Sequence, residues 1–233
     1  MPAGPARRQL AQLLESVADF PDPRVDREQY LTPAELAAHV VHLAAVQGDL
    51  TNATVIDLGT GTGMLALAAE QYAPARTIGL DVDANALEQA RINEHTIRTL
   101  VLEATPSDGS EEVSEQIRHT VDWLRADIDH VPLDRTTLHS PVTVLSNPPF
   151  GAQHRNRHAD RGFLEVASEL SDVSYTIHNE GSQNFIESFA SDDGGTVTHA
   201  FGATFPVDHR FDFHDRERAT LEAEVFRIEW SGE

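Results

Sequence analysis

The first apolar positions to recur are Leu10, Leu13, Leu14 and Val17, whose three- and four-residue spacing puts them on one face of a helix. Pro21, Asp22 and Pro23 end it. A second helix is predicted from Thr32. Thr32 and Glu35 have capping-box spacing, Pro33 takes the favoured first helical position, and Leu36, Val40 and Leu43 form the apolar stripe. From Thr54 the pattern changes to short apolar runs alternating with helical stretches. Val55, Ile56 and Leu58 predict a strand, Leu65 to Tyr72 a helix, Thr77 to Leu80 a strand, and Ala84 to Glu94 a helix. After a polar stretch centred on Ser107 to Glu112, read as a loop or insertion, Val121, Trp123 and Leu124 predict a third strand. Val142 to Leu145 predict a fourth and Val173 to Ile177 a fifth. Repeated strand-helix order is the order of a parallel sheet with helices on both faces. Thr196 to Phe205 and Ala219 to Ile228 are longer alternating segments with no helix between them, and predict an antiparallel pair that closes the sheet.

A chain of 233 residues fits one α/β domain. Residues 1–50 are expected to form N-terminal helices and 51–233 the sheet. No apolar run approaches the roughly 18 residues of a membrane span. Arg7 and Arg8 are followed by no apolar stretch, so a signal peptide is not expected and the cytoplasm is the expected location. The absence of cysteine excludes thiolate metal sites, disulfides and a cysteine nucleophile. Of the 12 histidines, His39 and His42 lie in a helix and His209 and His214 lack a third ligand, so no metal site is expected. The formal net charge is -21 and all 17 basic residues are arginine. Such a surface suits a solvated acidic shell of the kind halophiles use; recruitment of a basic partner is the alternative.

The candidate chemistry begins at Asp57-Leu58-Gly59-Thr60-Gly61-Thr62-Gly63, directly after a strand and before a helix, where glycines permit a tight turn and close approach of backbone to a ligand. A dinucleotide fingerprint would place its third glycine at position 64, which is Met64. The spacing suits S-adenosylmethionine instead, whose nucleoside and amino-acid ends are gripped with no pyrophosphate between them. Asp81, about 20 residues on, stands where an acid can accept hydrogen bonds from ribose hydroxyls. Asp83 is expected to cap the next helix. Asp127, at the end of the third strand, can receive the adenine amino group of the cofactor.

Asn147-Pro148-Pro149-Phe150 ends the fourth strand, in the crevice where open parallel sheets bind ligands. An amino nitrogen conjugated to a purine is a weak nucleophile. Asn147 and the Pro148 carbonyl can hold its hydrogens and draw its lone pair toward a methyl donor. Pro148 and Pro149 remove competing donors and restrict the backbone, and Phe150 offers a flat face for an extruded base. Arg155, Arg157 and Arg161 form a basic cluster just beyond and are the candidate RNA contacts.

With these motifs in order the chain resembles class I S-adenosylmethionine-dependent methyltransferases. Within them it resembles the methyltransferase-like family that makes N6-methyladenosine in small-subunit ribosomal RNA, as an archaeal, halophile-type member. The resemblance spans nearly the whole chain. It is carried by Glu28-Gln29-Tyr30 and Thr32, Asp57-Leu58-Gly59, Gly79 with Asp81 and Asp83, Asn147 to Gly151, Asp160 with Phe163-Leu164, and Ile177-His178. It implies a Rossmann-like seven-stranded methyltransferase sheet and a segment, Gln29 to Thr32, that closes over the cofactor. Gln29 and Thr32 thereby join Gly59, Thr62, Met64, Asp81, Asp127 and Ile128 as cofactor-site candidates. It also implies a small zinc-ribbon activator that pairs with a sheet edge, expected near Val121 to Leu124. The chain departs from the family at Asn179, where a lysine is usual, and in the mixed charge of Phe213 to Arg218. Two other functions fit the motifs: N5 methylation of a protein glutamine, whose amide the same tetrapeptide can hold, and ribosome assembly with incidental catalysis.

Overall fold

Thr54–Leu58 are buried at every position, and a strand with no exposed residue needs a layer on each face. In the computed structural model, which describes residues 4–24, 28–104, 120–139, 141–149, 159–207 and 219–231, this strand is β1, an interior strand of a seven-stranded sheet. The others are β2 (Arg76–Asp81), β3 (Val121–Arg125), β4 (Val142–Ser146), β5 (Val173–Asn179), β6 (Gly195–Val207) and β7 (Ala219–Trp230). Their order is β3-β2-β1-β4-β5-β7-β6. β1 to β5 run parallel, and β7 is antiparallel to both β5 and β6. The order reverses between β1 and β4, which opens a crevice at their carboxyl ends.

Alternation along the strands divides the core. Val55, Leu145, Tyr175, Ile177 and Val225 face a layer made by α1 (Arg7–Leu14), α2 (Ala34–Gln47), α3 (Met64–Glu70) and Ile97 of α4 (Ala84–Ala104). Ile56, Leu58, Ile78, Val142 and Val144 face the other way, against Phe163, Ala167 and Leu170 of α5 (Ala159–Leu170). A third cluster joins Leu164 of α5 and Ile186 and Phe189 of α6 (Gln183–Asp192) to Phe226, Ile228 and Trp230 of β7. The predicted strands and the closing antiparallel pair are all present, and β3 is an outer strand.

Four elements differ from expectation. α2 starts at Ala34 with Pro33 as its cap and no side-chain cap, so Thr32 forms no capping box; its hydroxyl is engaged elsewhere. α4 extends to Ala104, because neither glycine nor proline follows Glu94 to break it. α5 and α6 have no counterpart in the strand-by-strand reading, although Phe163, Leu164, Ala167 and Leu170 recur at helical spacing. Asp83 does cap α4, its Oδ1 accepting from Asn85 N at 3.0 Å. No helix among the described residues is long and apolar enough to cross a membrane.

A buried polar network closes the α2 side of the sheet. Arg227, 6% exposed, donates through Nε and Nη2 to the Asp49 carboxylate at 2.8 and 3.0 Å, and Tyr175 Oη donates to the same carboxylate. Burial disfavours the guanidinium charge, but hydrogen bonds to Asp49 and Glu229 outweigh it and raise the Arg227 pKa. Removing one partner would leave a charge in a low-dielectric place. Arg227→Ala is therefore expected to lose about 3 to 5 kcal/mol of stability in denaturant unfolding at fixed salt. Replacing the pair together, Asp49→Asn with Arg227→Met, should recover part of that loss; a single-variant loss below about 1 kcal/mol would show the network to be dispensable.

Candidate active site

The turn after β1 is shaped by three glycines with positive φ, Gly59 at 69°, Gly61 at 55° and Gly63 at 92°. Their packing against protein is as tight as their conformation is unusual. A Cβ on Gly59 would lie 2.8 Å from the Phe163 ring, on Gly61 2.8 Å from Phe20, and on Gly63 2.8 Å from Trp123. Three aromatic side chains from distant segments thus press on one loop. Beneath it Asp57 is fully buried, with Oδ2 accepting from Thr60 Oγ1 at 2.6 Å and Ala66 N at 2.9 Å. Burial pushes its carboxyl up to about 7 against those two hydrogen bonds. Asp57 is therefore a structural brace for the turn, although part of it reaches the cleft wall.

The cleft above the loop has a volume of about 410 Å³, within the range of small-molecule sites. Gly59, Gly61, Thr62 and Met64 line one wall and Asp81 ends β2 beside them. Asp81 Oδ2 accepts from Gly61 N at 2.8 Å and Oδ1 from Asp83 N at 2.8 Å, so the carboxylate holds the loop while facing the cleft. Asp127 and Ile128 form a further wall, where Asp127 Oδ1 accepts from Asp129 N at the start of a short 3-10 turn, Ile128–His130.

A strap of residues between α1 and α2 roofs the cleft. Phe20, Glu28, Gln29, Tyr30 and Thr32 all line it. Gln29 Nε2 donates to Asp83 Oδ2 at 2.9 Å, tying the strap to the start of α4. Glu28 has φ 50°, a strained turn for a residue with a Cβ. The other end is held by Asn93, 1% exposed. Its Oδ1 accepts from Ala18 N at 3.0 Å, and its Nδ2 donates to Ala18 O at 2.9 Å and to Thr62 O at 3.0 Å. The strap and the glycine loop are thus joined through one side chain.

Asn147 closes the cleft from the end of β4. Its Nδ2 donates to Thr32 Oγ1 at 2.8 Å, while its Oδ1 is buried and accepts no hydrogen bond from the described residues. Tyr30 faces the same amide. Burial raises the phenol pKa well above its ordinary value, the Asn147 side chain opposes that shift, and the group is neutral. Pro148 is buried and Pro149 lines the cleft. On β5, His178 is 1% exposed with Nε2 2.7 Å from Thr176 Oγ1, and burial lowers its pKa to about 4, so the imidazole is neutral.

The fold brings Gln29, Thr32, Asp57, Gly59, Gly61, Thr62, Met64, Asp81, Asp127, Ile128, Asn147 and Pro149 to one cleft. Gly63 braces the loop from behind, against Trp123. Phe150, Arg155 and Arg157 lie outside the described residues, as does the Ser107 to Glu112 insertion. Arg161 is described. Its guanidinium pairs with Glu165 at 2.8 Å and stands 5.5 Å over the Phe189 ring, and it does not line the cleft. Sequence reasoning missed Phe20 and Asn93. Nothing marks Phe20, but Asn93 interrupts the buried stripe Ala86, Ala90, Ile97, and a polar residue in a buried helical stripe is a usable signal.

Comparison with known proteins bears on both halves of this site. Residues 40–126 match the family model of the ribosomal protein L11 methyltransferase (PrmA), a span from α2 to β3 that stops before Asn147. An uncharacterized protein of Methanocaldococcus jannaschii is 34% identical, covering 97% of this chain and 95% of its own. The solved structure of a candidate RNA methyltransferase from Pyrococcus horikoshii is 28% identical, with a TM-score of 0.78 over 99% of this chain and 100% of that one. The rRNA N(6)-adenosine-methyltransferase Mettl5 of Drosophila melanogaster is 30% identical over 95% of this chain and 95% of its own. At that identity over nearly the whole of both chains, this chain belongs to the Mettl5 methyltransferase family.

Proposed function

We propose that the protein transfers a methyl group from S-adenosylmethionine to the N6 nitrogen of an adenosine in RNA, with small-subunit ribosomal RNA as the substrate. The observation that carries this reading is the Asn147 amide, whose Oδ1 is buried beside the cleft without a hydrogen bond from the described residues. A buried acceptor left unpaired costs about 1 to 3 kcal/mol, which an arriving N–H donor would recover. The name of the Drosophila relative supports the acceptor chosen. The PrmA match supports only a shared cofactor half, since it ends before the tetrapeptide, and gives protein glutamine no comparable support.

The cleft fits the cofactor in two respects. Gly59 and Gly61 present backbone to the cleft, and acids stand at the end of β2 and just past the end of β3, where a ribose and an adenine amine would be held. Asp81 is assigned to the ribose, Asp127 and Ile128 to the adenine end, the Gly59 to Met64 loop with Gln29 to the remainder. Bound there, the cofactor supplies a sulfonium methyl, which moves as the sulfur-carbon bond breaks and a nitrogen-carbon bond forms. Asn147 Oδ1 accepts one N6 hydrogen and the Pro148 carbonyl the other, which favours the nitrogen lone pair as nucleophile; one of these protons then leaves to solvent. Pro148 and Pro149 offer no competing N–H. Phe150 is assigned to stacking on the base, and Arg155, Arg157 and Arg161 to the RNA. The relevant assay is transfer of labelled methyl to purified ribosomal RNA, with nucleoside analysis of wild-type and deletion cells locating the product. Label in glutamine of a protein would replace adenosine as the acceptor.

The reading also includes a zinc-ribbon activator at the β3 edge. Ala126 N donates to Asp81 O at 3.0 Å, so even-numbered residues of β3 bond to β2 and the backbone groups of Trp123 and Arg125 point to the open side. The Trp123 side chain is not available to a partner, since it lies over Gly79 and donates to Glu94 Oε2 at 2.8 Å. Arg125→Pro removes an outward N–H with little effect on the β2 ladder and should weaken co-purification. Full retention of the partner by the folded variant would place the interface elsewhere.

Two substitutions separate the cofactor from the acceptor. Asp81→Ala should weaken cofactor binding by roughly ten- to a hundredfold in calorimetry, about 1.5 to 3 kcal/mol for a hydrogen bond to a charged group, with part of the loss arising through the freed Gly61 amide. Asn147→Ala should abolish transfer and leave cofactor affinity within about threefold, and substantial turnover would remove it from the reaction.

A further inference from the structure

Thr32 is removed from the role its sequence position suggests. It precedes Pro33, α2 starts only at Ala34, and the threonine hydroxyl caps nothing in the helix. It is 8% exposed and meets the Asn147 amide across 115 residues of chain. Its mount is firm, because the Pro33 carbonyl accepts the first α2 hydrogen bond, from Ala37 N at 3.0 Å, and proline restricts the residue before it to extended backbone.

We propose that Thr32 is a positioning residue that holds the Asn147 amide with its oxygen turned to the acceptor nitrogen. An asparagine amide presents an acceptor on one side and two donors on the other. An amino group offers hydrogens, so only the oxygen side can draw on its lone pair; the nitrogen side would set donor against donor. With Nδ2 occupied by Thr32 Oγ1, Oδ1 is the atom left for the substrate. Tyr30, neutral and packed beside the same amide, narrows the space in which it can turn. Thr32 sits on the strap that Gln29 ties to Asp83 and Asn93 ties to the glycine loop, so the segment covering the cofactor also sets the reacting side chain. This assignment rests on the proposed methyl transfer, but it requires only that the acceptor be an amino or amide nitrogen.

The test compares Thr32→Val, which keeps the shape and loses the hydroxyl, with Thr32→Ser, which keeps the hydroxyl. Each is measured on whichever acceptor the parent labels, RNA adenosine or protein glutamine, so a wrong substrate assignment shows in the parent and leaves the comparison intact. Thr32→Val should lower kcat by about 10- to 100-fold, the scale of a misplaced reacting group. Its KM for the acceptor should stay within about threefold of the parent, and its calorimetric affinity for S-adenosylhomocysteine should fall by much less than kcat. Thr32→Ser should restore kcat to within about threefold. A second readout needs no turnover: with asparagine labelled in the side-chain nitrogen, the Asn147 NH2 resonance, identified by its loss in Asn147→Ala, should shift in Thr32→Val and return toward its position in Thr32→Ser. Unchanged kcat and an unchanged resonance in Thr32→Val would overturn the proposal. A fall in S-adenosylhomocysteine affinity parallel to kcat would overturn it too, making Thr32 a cofactor contact.

Discussion

One buried amide joins two parts of the site that are far apart in the chain. Asn93 holds Ala18 by both its N–H and its carbonyl and holds Thr62 by its carbonyl, so strap and glycine loop share a single anchor on α4. Were Asn93 apolar, three backbone groups would lose their partner at once. Between Ala18 and Tyr30 the strap is also held by Phe20 on Gly61, by Gln29 on Asp83 and by Arg24 N donating to Gln29 Oε1 at 2.9 Å. The cleft has a roof because one helix carries a polar residue in its buried stripe.

The glycines serve a second constraint that bears on the first. A glycine after β1 is usually explained by approach to a ligand, yet each of the three here also admits an aromatic ring from the protein, Phe163 from α5, Phe20 from the strap and Trp123 from β3. Gly79 does the same on β2, where a Cβ would lie 2.5 Å from the Trp123 ring. The loop is clamped on several sides before anything binds. Its left-handed backbone costs conformational freedom, and the rings offset that cost by burial.

Short apolar runs made β1 to β5 legible and longer alternating segments the closing pair, because a strand covered on both faces is apolar nearly throughout, as Val55, Ile56 and Leu58 are. The placement of the glycine loop and of Asn147 to Pro149 at strand ends was legible for another reason: glycine and proline clusters stand out against the apolar runs they follow. What was hidden is contact between distant segments. Thr32 with Glu35 satisfies the local capping pattern, but a hydroxyl can bond to a helix or to a strand end 115 residues away, and only tertiary placement decides between them. α4 ran past Glu94 because an absent stop signal is weaker evidence than a present one. Phe20 shows no periodicity, so its role on Gly61 could not be inferred.

The acidity of the chain extends into the cleft at Glu28, Asp81 and Asp127, whereas Tyr30 and the Asn147 amide beside it are neutral. With a net charge of -21, long-range attraction to phosphate is lacking, and affinity for RNA has to come from contacts at hydrogen-bond distance. Many arginines are already engaged: Arg227 with Asp49, Arg135 with Asp172, Arg161 with Glu165. Around the proposed acceptor position burial removes charge. Tyr30 stays protonated beside Asn147, which is uncharged by nature. A neutral base entering such a pocket exchanges water for fixed dipoles and leaves no ion unpaired. Selectivity then depends on which hydrogens an amide oxygen can accept, and that is decided by how the Asn147 amide is held.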